Sequence, residues 1–95
     1  MKIVSKKCID DFIRRHPEAK SSIESWYYEA KHSTWKTSMD IKDRYQSAGF
    51  ISDNHVIFNI KGNNYRLVTK IAYKMEVVYI KWIGTHAEYD KRRFP

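Results

Sequence analysis

The sequence predicts a single α+β domain, residues 1–95, in which helices pack on one face of an antiparallel sheet. Apolar residues recur at helical spacing through the first half of the chain and alternate, as in strands, through the second half. The length of 95 residues suits one domain, and a hydrophobic share of 42% is enough for one modest core. The predicted order is a short strand, two to three helices, and a three-stranded meander that ends in a short helical turn.

The first half begins with a short strand in "MKIVS" and continues as two helices. Ser5 is the predicted N-cap of the first helix, because a serine side chain can accept a backbone N–H there. This helix must end at His16, since the residue before a proline is driven away from helical angles. Pro17 then suits the first position of the second helix.

The segment after the second helix interrupts the helical periodicity. Trp35 is expected to fill the core from a loop, and Thr37 or Ser38 is expected to cap a short third helix. Gly49 is the predicted end of that helix, because glycine readily takes the left-handed angles of a helix C-terminus.

Three strands are predicted in the second half, in "HVIFNI", "NYRLVTKIAY" and "EVVYIKWIG". Gly62 and Asn63 are expected to form a two-residue hairpin turn between the first and second of these strands, because both residue types tolerate positive φ. Strict alternation in the third strand would place Tyr79, Lys81 and Ile83 on one face.

The last strand runs into "GTHAEYDK", which concentrates titratable groups in a few residues. Thr85 and Glu88 match a capping box, which predicts a helical turn at this point. His86 and Tyr89 stand three residues apart and would share a face of that turn. The cap accounts for the first two residues but not for His86, Tyr89 or Lys91.

The composition is strongly basic, with 18 Lys and Arg against 11 Asp and Glu and a formal net charge of +7. The basic excess is concentrated in residues 61–93. A field of this sign favours polyanions such as nucleic acid, anionic lipid or an acidic protein. It is also compatible with a basic surface that only keeps the protein in solution.

Other classes of protein are disfavoured by composition and spacing. No signal peptide or membrane-spanning stretch is visible, which predicts a cytoplasmic protein with no membrane partner. The single cysteine, Cys8, cannot close an intramolecular disulfide. The four histidines are scattered, and glycine-rich phosphate loops are absent, so neither a metal nor a cofactor is predicted.

Basic residues on the predicted strands are the candidate phosphate ligands. Arg66 is the foremost of them, because a guanidinium forks onto two phosphate oxygens. Lys70 would lie on the same side of its strand, and Lys81 interrupts an apolar strand, where it must face solvent or meet an anion. Lys61 stands at a hairpin end, where lysines commonly protect a sheet edge.

These residue types are the ones that metal-free cleavage of RNA requires. A base must take a proton from a 2′-hydroxyl, an acid must protonate the leaving oxygen, and fixed cations must stabilise the charged phosphorane. His86 and Tyr89 can move protons, and the sequence leaves open which of them is the base.

Two segments, "VIFNIKGNNYRLV" (residues 56–68) and "IKWIGTHAEYDK" (residues 80–91), resemble the HigB-type toxins of the RelE-like superfamily. The helical part, residues 16–51, fits the same family, so the resemblance spans nearly the whole chain. It implies a RelE-like fold, with helices on one face of the sheet and an open basic face opposite. It also implies that residues 1–95 form a single toxin domain.

The resemblance implies an mRNA interferase of a type II toxin–antitoxin system, an endoribonuclease that needs no cofactor. Such toxins act on mRNA in the ribosomal A site, beside rRNA, and a helix-turn-helix antitoxin of HigA type neutralises them. Catalytic roles then fall on Arg66, which would hold the phosphate, and on His86 and Tyr89. RNA contacts are predicted at four lysines: Lys61, Lys70, Lys81 and Lys91.

Two other interpretations are compatible with the sequence. A non-catalytic module could use the same basic residues to grip mRNA or rRNA and inhibit translation by occupancy, with no need for His86 or Tyr89. A decayed toxin could persist as a folded but inactive partner of its antitoxin.

Overall fold

The structure is a computed structural model that describes residues 1–92. Its strands are β1 Lys2–Val4, β2 Gly49–Ile51, β3 His55–Ile60, β4 Tyr65–Ala72 and β5 Val77–Thr85. Its helices are α1 Lys6–Arg15, α2 Lys20–Lys31, α3 Ser38–Arg44 and α4 His86–Asp90, with a 3-10 turn at Pro17–Ala19 before α2. The α+β class, the short first strand, the final meander and the terminal helical turn are confirmed.

The strands form one five-stranded sheet in the order β1-β5-β4-β3-β2. The meander β3-β4-β5 is antiparallel throughout, and β2 extends it antiparallel to β3. β1 instead pairs parallel with β5, with Lys2 opposite Val77, so the sheet is mixed where an antiparallel one was predicted. Parallel neighbours need a long crossover between them, which the helices and three intervening strands supply.

The core lies between the helices and one face of the sheet. α1 buries Ile9 and Phe12, and it packs on β5. Phe58 of β3 is the centre of an aromatic group, with ring centroids 5.2 Å from Trp26 and 5.9 Å from Trp35. The predicted burial of Trp35 in the core is confirmed, since only 5% of that residue is exposed.

Two boundaries in the helical half differ from the prediction in detail. Ser5 occupies the N-cap position of α1 as predicted, but its side chain does not make the expected cap hydrogen bond. Its backbone is left-handed, with φ 73, whereas a side-chain N-cap requires an extended backbone. α1 does end before His16, as predicted, and Pro17 begins the 3-10 turn that leads into α2.

The third helix is capped as predicted but ends earlier. The Asp40 carboxylate accepts the backbone N–H of Thr37 at 3.2 Å, which fixes the start of α3. α3 then ends at Arg44, and Gly49 begins β2, so the assignment of Gly49 as the helix end was wrong. β2 has only three residues, too few for an alternating pattern to reveal it in the sequence.

The hairpin between β3 and β4 uses a different turn from the predicted one. Ile60 pairs with Tyr65, which leaves residues 61–64 as the connection. Positive φ angles occur at Lys61 (53°) and Gly62 (66°), so the turn is shifted one residue from the predicted Gly62–Asn63 pair. Lys61 itself therefore carries part of the chain reversal.

Gly62→Ala should lower the free energy of unfolding by about 1–2 kcal/mol, the usual cost of a left-handed L-residue. No atom lies within 4 Å of a Cβ added at Gly62, so the loss would report backbone strain alone. Gly49→Ala is the matched control, because its added Cβ meets only Ile57 Cβ at 4.0 Å. Urea unfolding of both variants measures the difference, and an equal loss at both glycines would contradict the assignment.

Candidate active site

The sheet has a second face, opposite the core, which carries Arg66 and Lys70. Residues directly opposite one another on neighbouring strands share a face. The cross-strand row Asn59–Arg66–Gly84 is one such set, and Ile57–Val68–Trp82 is the next along the strands. We call this the outer face and define it by eight residues: Ile57, Asn59, Arg66, Val68, Lys70, Tyr79, Trp82 and Gly84.

A β-bulge at Lys81 decides which residues of β5 reach the outer face. Trp82 pairs with Val68, and Ile80 pairs with Thr69, so Lys81 has no partner residue in β4. The extra residue shifts the alternation, and Ile83 therefore joins the core rather than the face that carries Tyr79. The prediction that Tyr79, Lys81 and Ile83 share a face was wrong for this reason. Lys81 is exposed, with Nζ 5.7 Å from the centroid of the Tyr79 ring.

Arg66 and Tyr89 meet at the end of the outer face where α4 begins. The guanidinium carbon of Arg66 lies 5.1 Å from the centroid of the Tyr89 ring, a cation–π distance. The Arg66 Nε atom is buried and has no hydrogen-bond partner among the described residues. A guanidinium held against an aromatic ring is a fixed cation that can stabilise an oxyanion.

His86 is held at the first position of α4 by its backbone and its side chain. Its N–H donates to the Asn64 carbonyl at 3.1 Å, which ties α4 to the β3–β4 hairpin. Its Nδ1 lies 3.1 Å from a carboxylate oxygen of Asp90, one helical turn further on. A carboxylate in this position orients the imidazole and leaves Nε2 for proton transfer. Asp90 had no role in the sequence analysis, although its i,i+4 spacing from His86 could have suggested the pair.

The capping box that starts α4 is confirmed. Thr85 Oγ1 accepts the Glu88 N–H at 3.1 Å, and Glu88 Oε1 accepts the Thr85 N–H at 2.8 Å. The hydrogen bond from the Thr85 backbone is the main cause that lowers the pKa of Glu88 below its usual value. The box fixes where α4 begins and therefore how Tyr89 approaches Arg66.

Gly84 allows Trp82 and α4 to lie close to the sheet. A Cβ added at Gly84 would stand 2.4 Å from two ring atoms of Trp82 and 2.9 Å from Glu88 Oε1. The Trp82 ring also lies 6.2 Å from the Tyr89 ring, centroid to centroid. Trp82 is thus part of the candidate site, which sequence analysis missed because its position suggested only an apolar strand residue.

The four predicted RNA-binding lysines fall in different places. Lys70 is half-buried on the outer face, opposite Tyr79, and the exposed Lys81 lies against the same ring. Lys91 is exposed directly after α4. Lys61 instead donates from Nζ to the Glu18 carbonyl at 3.3 Å, on the helical side of the hairpin. Lys70 and Lys81 therefore lie around the Tyr79 ring, and Lys91 follows the helix that carries His86 and Tyr89. Lys61 lies apart from these three lysines, on the helical side of the hairpin.

A second set of contacts anchors the strand that carries Arg66. The Tyr65 hydroxyl donates to a Glu18 carboxylate oxygen, 2.5 Å away, and this bond raises the pKa of Tyr65 and lowers that of Glu18. Because Tyr65 precedes Arg66, the bond ties the start of β4 to the helical layer. It fixes Arg66 from the core side of the sheet.

Among residues 1–92, none of the helices is long and apolar enough to cross a membrane. Within the same residues, no three His, Cys, Asp or Glu side chains lie together as a metal site would require.

The stability of α4 should depend on the charge of Glu88. A carboxylate with a lowered pKa in the folded state stabilises the fold above its unfolded pKa, about 4.3, and this contribution fades as the pH falls. Wild type should therefore unfold at higher urea than Glu88→Gln at pH 7, and the two should converge near pH 3. Glu24→Gln, an exposed helical control, should show a constant difference across the same range. A gap between wild type and Glu88→Gln that does not change with pH would contradict the cap's electrostatic role.

The chain is 25% identical over 92 residues to the "mRNA interferase toxin HigB" of Escherichia coli (strain K12), a match that covers 95% of this chain and 88% of that protein. The same identity over 93 residues relates it to an "mRNA interferase HigB" of Escherichia coli O6:H1 (strain CFT073), covering 96% of this chain and 90% of the relative. Residues 19–92 match the family described as HigB_toxin, RelE-like toxic component of a toxin–antitoxin system. Since that match spans most of the sequence and includes Arg66, His86 and Tyr89, the chain belongs to the HigB toxin family.

Proposed function

We propose that this protein is an mRNA endoribonuclease that acts on the ribosome as the toxin of a type II toxin–antitoxin system. The observation that carries the proposal is the contact of the Arg66 guanidinium with the Tyr89 ring, at 5.1 Å. Tyr89 lies on α4, the helix that also holds His86. Membership of the toxin family and the names of its relatives, which are mRNA interferases, support the same activity.

The proposed reaction is attack of a ribose 2′-hydroxyl on the adjacent phosphate. His86 takes the 2′-hydroxyl proton at Nε2, while Asp90 orients the ring through Nδ1 and stabilises the imidazolium that forms. The 2′-oxygen bonds to phosphorus, and the bond to the 5′-oxygen breaks. Tyr89, whose phenol hydroxyl is a proton donor, protonates that leaving oxygen.

Arg66 supplies the fixed positive charge for this reaction. Its guanidinium is held against the Tyr89 ring at 5.1 Å. Charge that develops on the phosphate oxygens can therefore be stabilised by a cation that is already in place. Dependence on the 2′-hydroxyl restricts the reaction to RNA.

The remaining basic residues are proposed to hold RNA outside the reaction centre. Lys70 and Lys81 form a patch around the Tyr79 ring, and Lys91 follows α4. We propose that these cations contact the backbones of mRNA and rRNA in the ribosomal A site. The partner that neutralises the toxin is proposed to be a helix-turn-helix antitoxin of HigA type.

Expression without antitoxin should arrest growth, and His86→Ala, Tyr89→Phe and Arg66→Ala should each relieve the arrest. Each proton-transfer group typically raises the reaction rate by about 100- to 10,000-fold, so the loss of His86 or of the Tyr89 hydroxyl should reduce mRNA cleavage by at least two orders of magnitude. Lys20→Ala, an exposed basic residue of α2, is the matched control and should arrest growth like wild type. Growth curves after induction, with circular dichroism of each purified variant, measure the effect.

Mapping of mRNA 5′ ends after induction separates cleavage from occupancy. Discrete new ends within codons, present with wild type and absent with His86→Ala, are the expected result. Growth arrest without new ends would favour the non-catalytic module, and arrest by His86→Ala and Arg66→Ala equal to wild type would contradict the proposed site. A wild-type chain that causes no arrest but still binds an antitoxin would favour the decayed toxin.

Affinity for single-stranded RNA should fall with salt in proportion to the number of phosphate contacts. Four to five contacts predict a slope of about −3 in log affinity against log salt, at about −0.7 per contact. Lys70→Ala should make this slope about 0.7 units shallower, while Lys61→Ala should leave it unchanged, because Lys61 faces the helical layer. Fluorescence anisotropy of a labelled RNA measures both slopes, and a flat response in wild type would contradict phosphate binding.

A further inference from the structure

Trp82 lies between the reaction centre and the lysine patch on the outer face. We propose that the Trp82 indole is a stacking platform for the base of the nucleotide next to the scissile phosphate. This inference rests on the proposed function, because it assigns a second RNA contact to the same site. It makes Trp82 a positioning residue for single-stranded RNA rather than a catalytic one.

The position of the ring follows from the glycine beside it. The benzo half of the indole lies across the space where a Gly84 side chain would project, with ring atoms 2.4 Å from an added Cβ. The ring therefore leans along β5 toward Tyr89, whose centroid is 6.2 Å away, and Tyr89 in turn contacts Arg66 at 5.1 Å. A base on the indole would belong to a nucleotide adjacent to the phosphate that Arg66 holds.

One face of the indole already accepts a flat cationic group. The guanidinium carbon of Arg92 lies over the ring, 5.2 Å from its centroid, and Arg92 is an exposed residue. Nucleobases and guanidinium groups stack on tryptophan in the same parallel manner. The base takes the place of the Arg92 guanidinium when RNA binds.

The surroundings of Trp82 fit a single-stranded RNA track. Val68 and Ile57 continue its cross-strand row, and both are buried although neither belongs to the helix-side core. Arg66 precedes this apolar row along β4 and Lys70 follows it, so their Cα atoms are about 13 Å apart at about 3.3 Å per strand residue. An apolar, aromatic centre between two phosphate-binding ends is the pattern of proteins that stack bases and track the backbone.

Tryptophan fluorescence gives a direct test that does not require cleavage. Trp26 and Trp35 are only 3% and 5% exposed, so a quenching of emission by RNA would report the half-buried Trp82. The full chain carrying His86→Ala is titrated with a single-stranded oligoribonucleotide, and anisotropy of a label on the RNA measures affinity independently. Quenching that saturates together with the anisotropy is expected.

Three variants in the His86→Ala background distinguish stacking from a structural role. Trp82→Phe should abolish the quenching and keep affinity within about twofold, whereas Trp82→Leu should weaken binding about tenfold, as loss of a stacked base does. Gly84→Ala keeps the tryptophan but removes its space, so it should lose the quenching as well. Tyr28→Leu, which removes a 66% exposed ring from α2, is the matched control and should change neither signal.

Equal affinity of Trp82→Leu and its parent, or no RNA-dependent quenching in the parent, would overturn the stacking role. Thermal unfolding identifies any variant that has lost its fold. If Trp82→Leu is such a variant, the quenching and the affinity of Trp82→Phe decide the test. Quenching that persists in a protein that leaves mRNA uncut in cells would contradict the proposed function while supporting the platform. The experiments therefore distinguish failure of the stacking role of Trp82 from failure of the proposed nuclease function.

Discussion

The pairing of β4 with β5 is the constraint on which the candidate site depends. Its register places Arg66 opposite Gly84, where an added side chain would collide with Trp82 and Glu88. Glycine there lets α4 fold back against the strand ends, which brings Tyr89 over the Arg66 guanidinium. A slip of one residue would move Arg66 to the core side of the sheet, where a guanidinium is costly to bury.

Restraints from both sides hold this register in place. On the core side, the bond of Tyr65 to Glu18 links the start of β4 to the helical layer. At the strand end, the Thr85–Glu88 box and the bond from His86 N–H to the Asn64 carbonyl fix α4 against the hairpin. The groups proposed for chemistry therefore stand on ordered backbone, which is what preorganised stabilisation of charge requires.

The sequence predicted the elements whose signals are local and repeated. Helical periodicity, Pro17 and the Thr85–Glu88 pair placed α1, α2 and α4, and alternation placed the meander. The parallel pairing of β1 was not predictable, because no local signal states which strand edge a terminal segment will join. The bulge at Lys81 was also invisible, because one inserted residue changes no residue type and is defined only by the partner strand.

In the candidate site too, the residues with a local signal were predicted, and those that depend on the fold were not. Arg66, His86 and Tyr89 were predicted from residue chemistry and from the family resemblance, and the structure brings Arg66 and Tyr89 into contact. Trp82 and Asp90 were not predicted, since their relevance arises from the bulge and from a side-chain pair within α4. Lys61 was grouped with the RNA-binding lysines, but a left-handed backbone at the hairpin carries it to the helical layer.

The central claim, that this site cleaves RNA through the 2′-hydroxyl, is tested most directly by the chemistry of the cut ends. Purified protein is incubated with ribosomes carrying a defined mRNA, and both fragments are analysed by mass spectrometry. A 5′-hydroxyl on the downstream fragment and a 2′,3′-cyclic phosphate on the upstream one are predicted, with no cut when the scissile nucleotide is 2′-deoxy. A 5′-phosphate end, or equal cleavage of the 2′-deoxy substrate, would contradict the account.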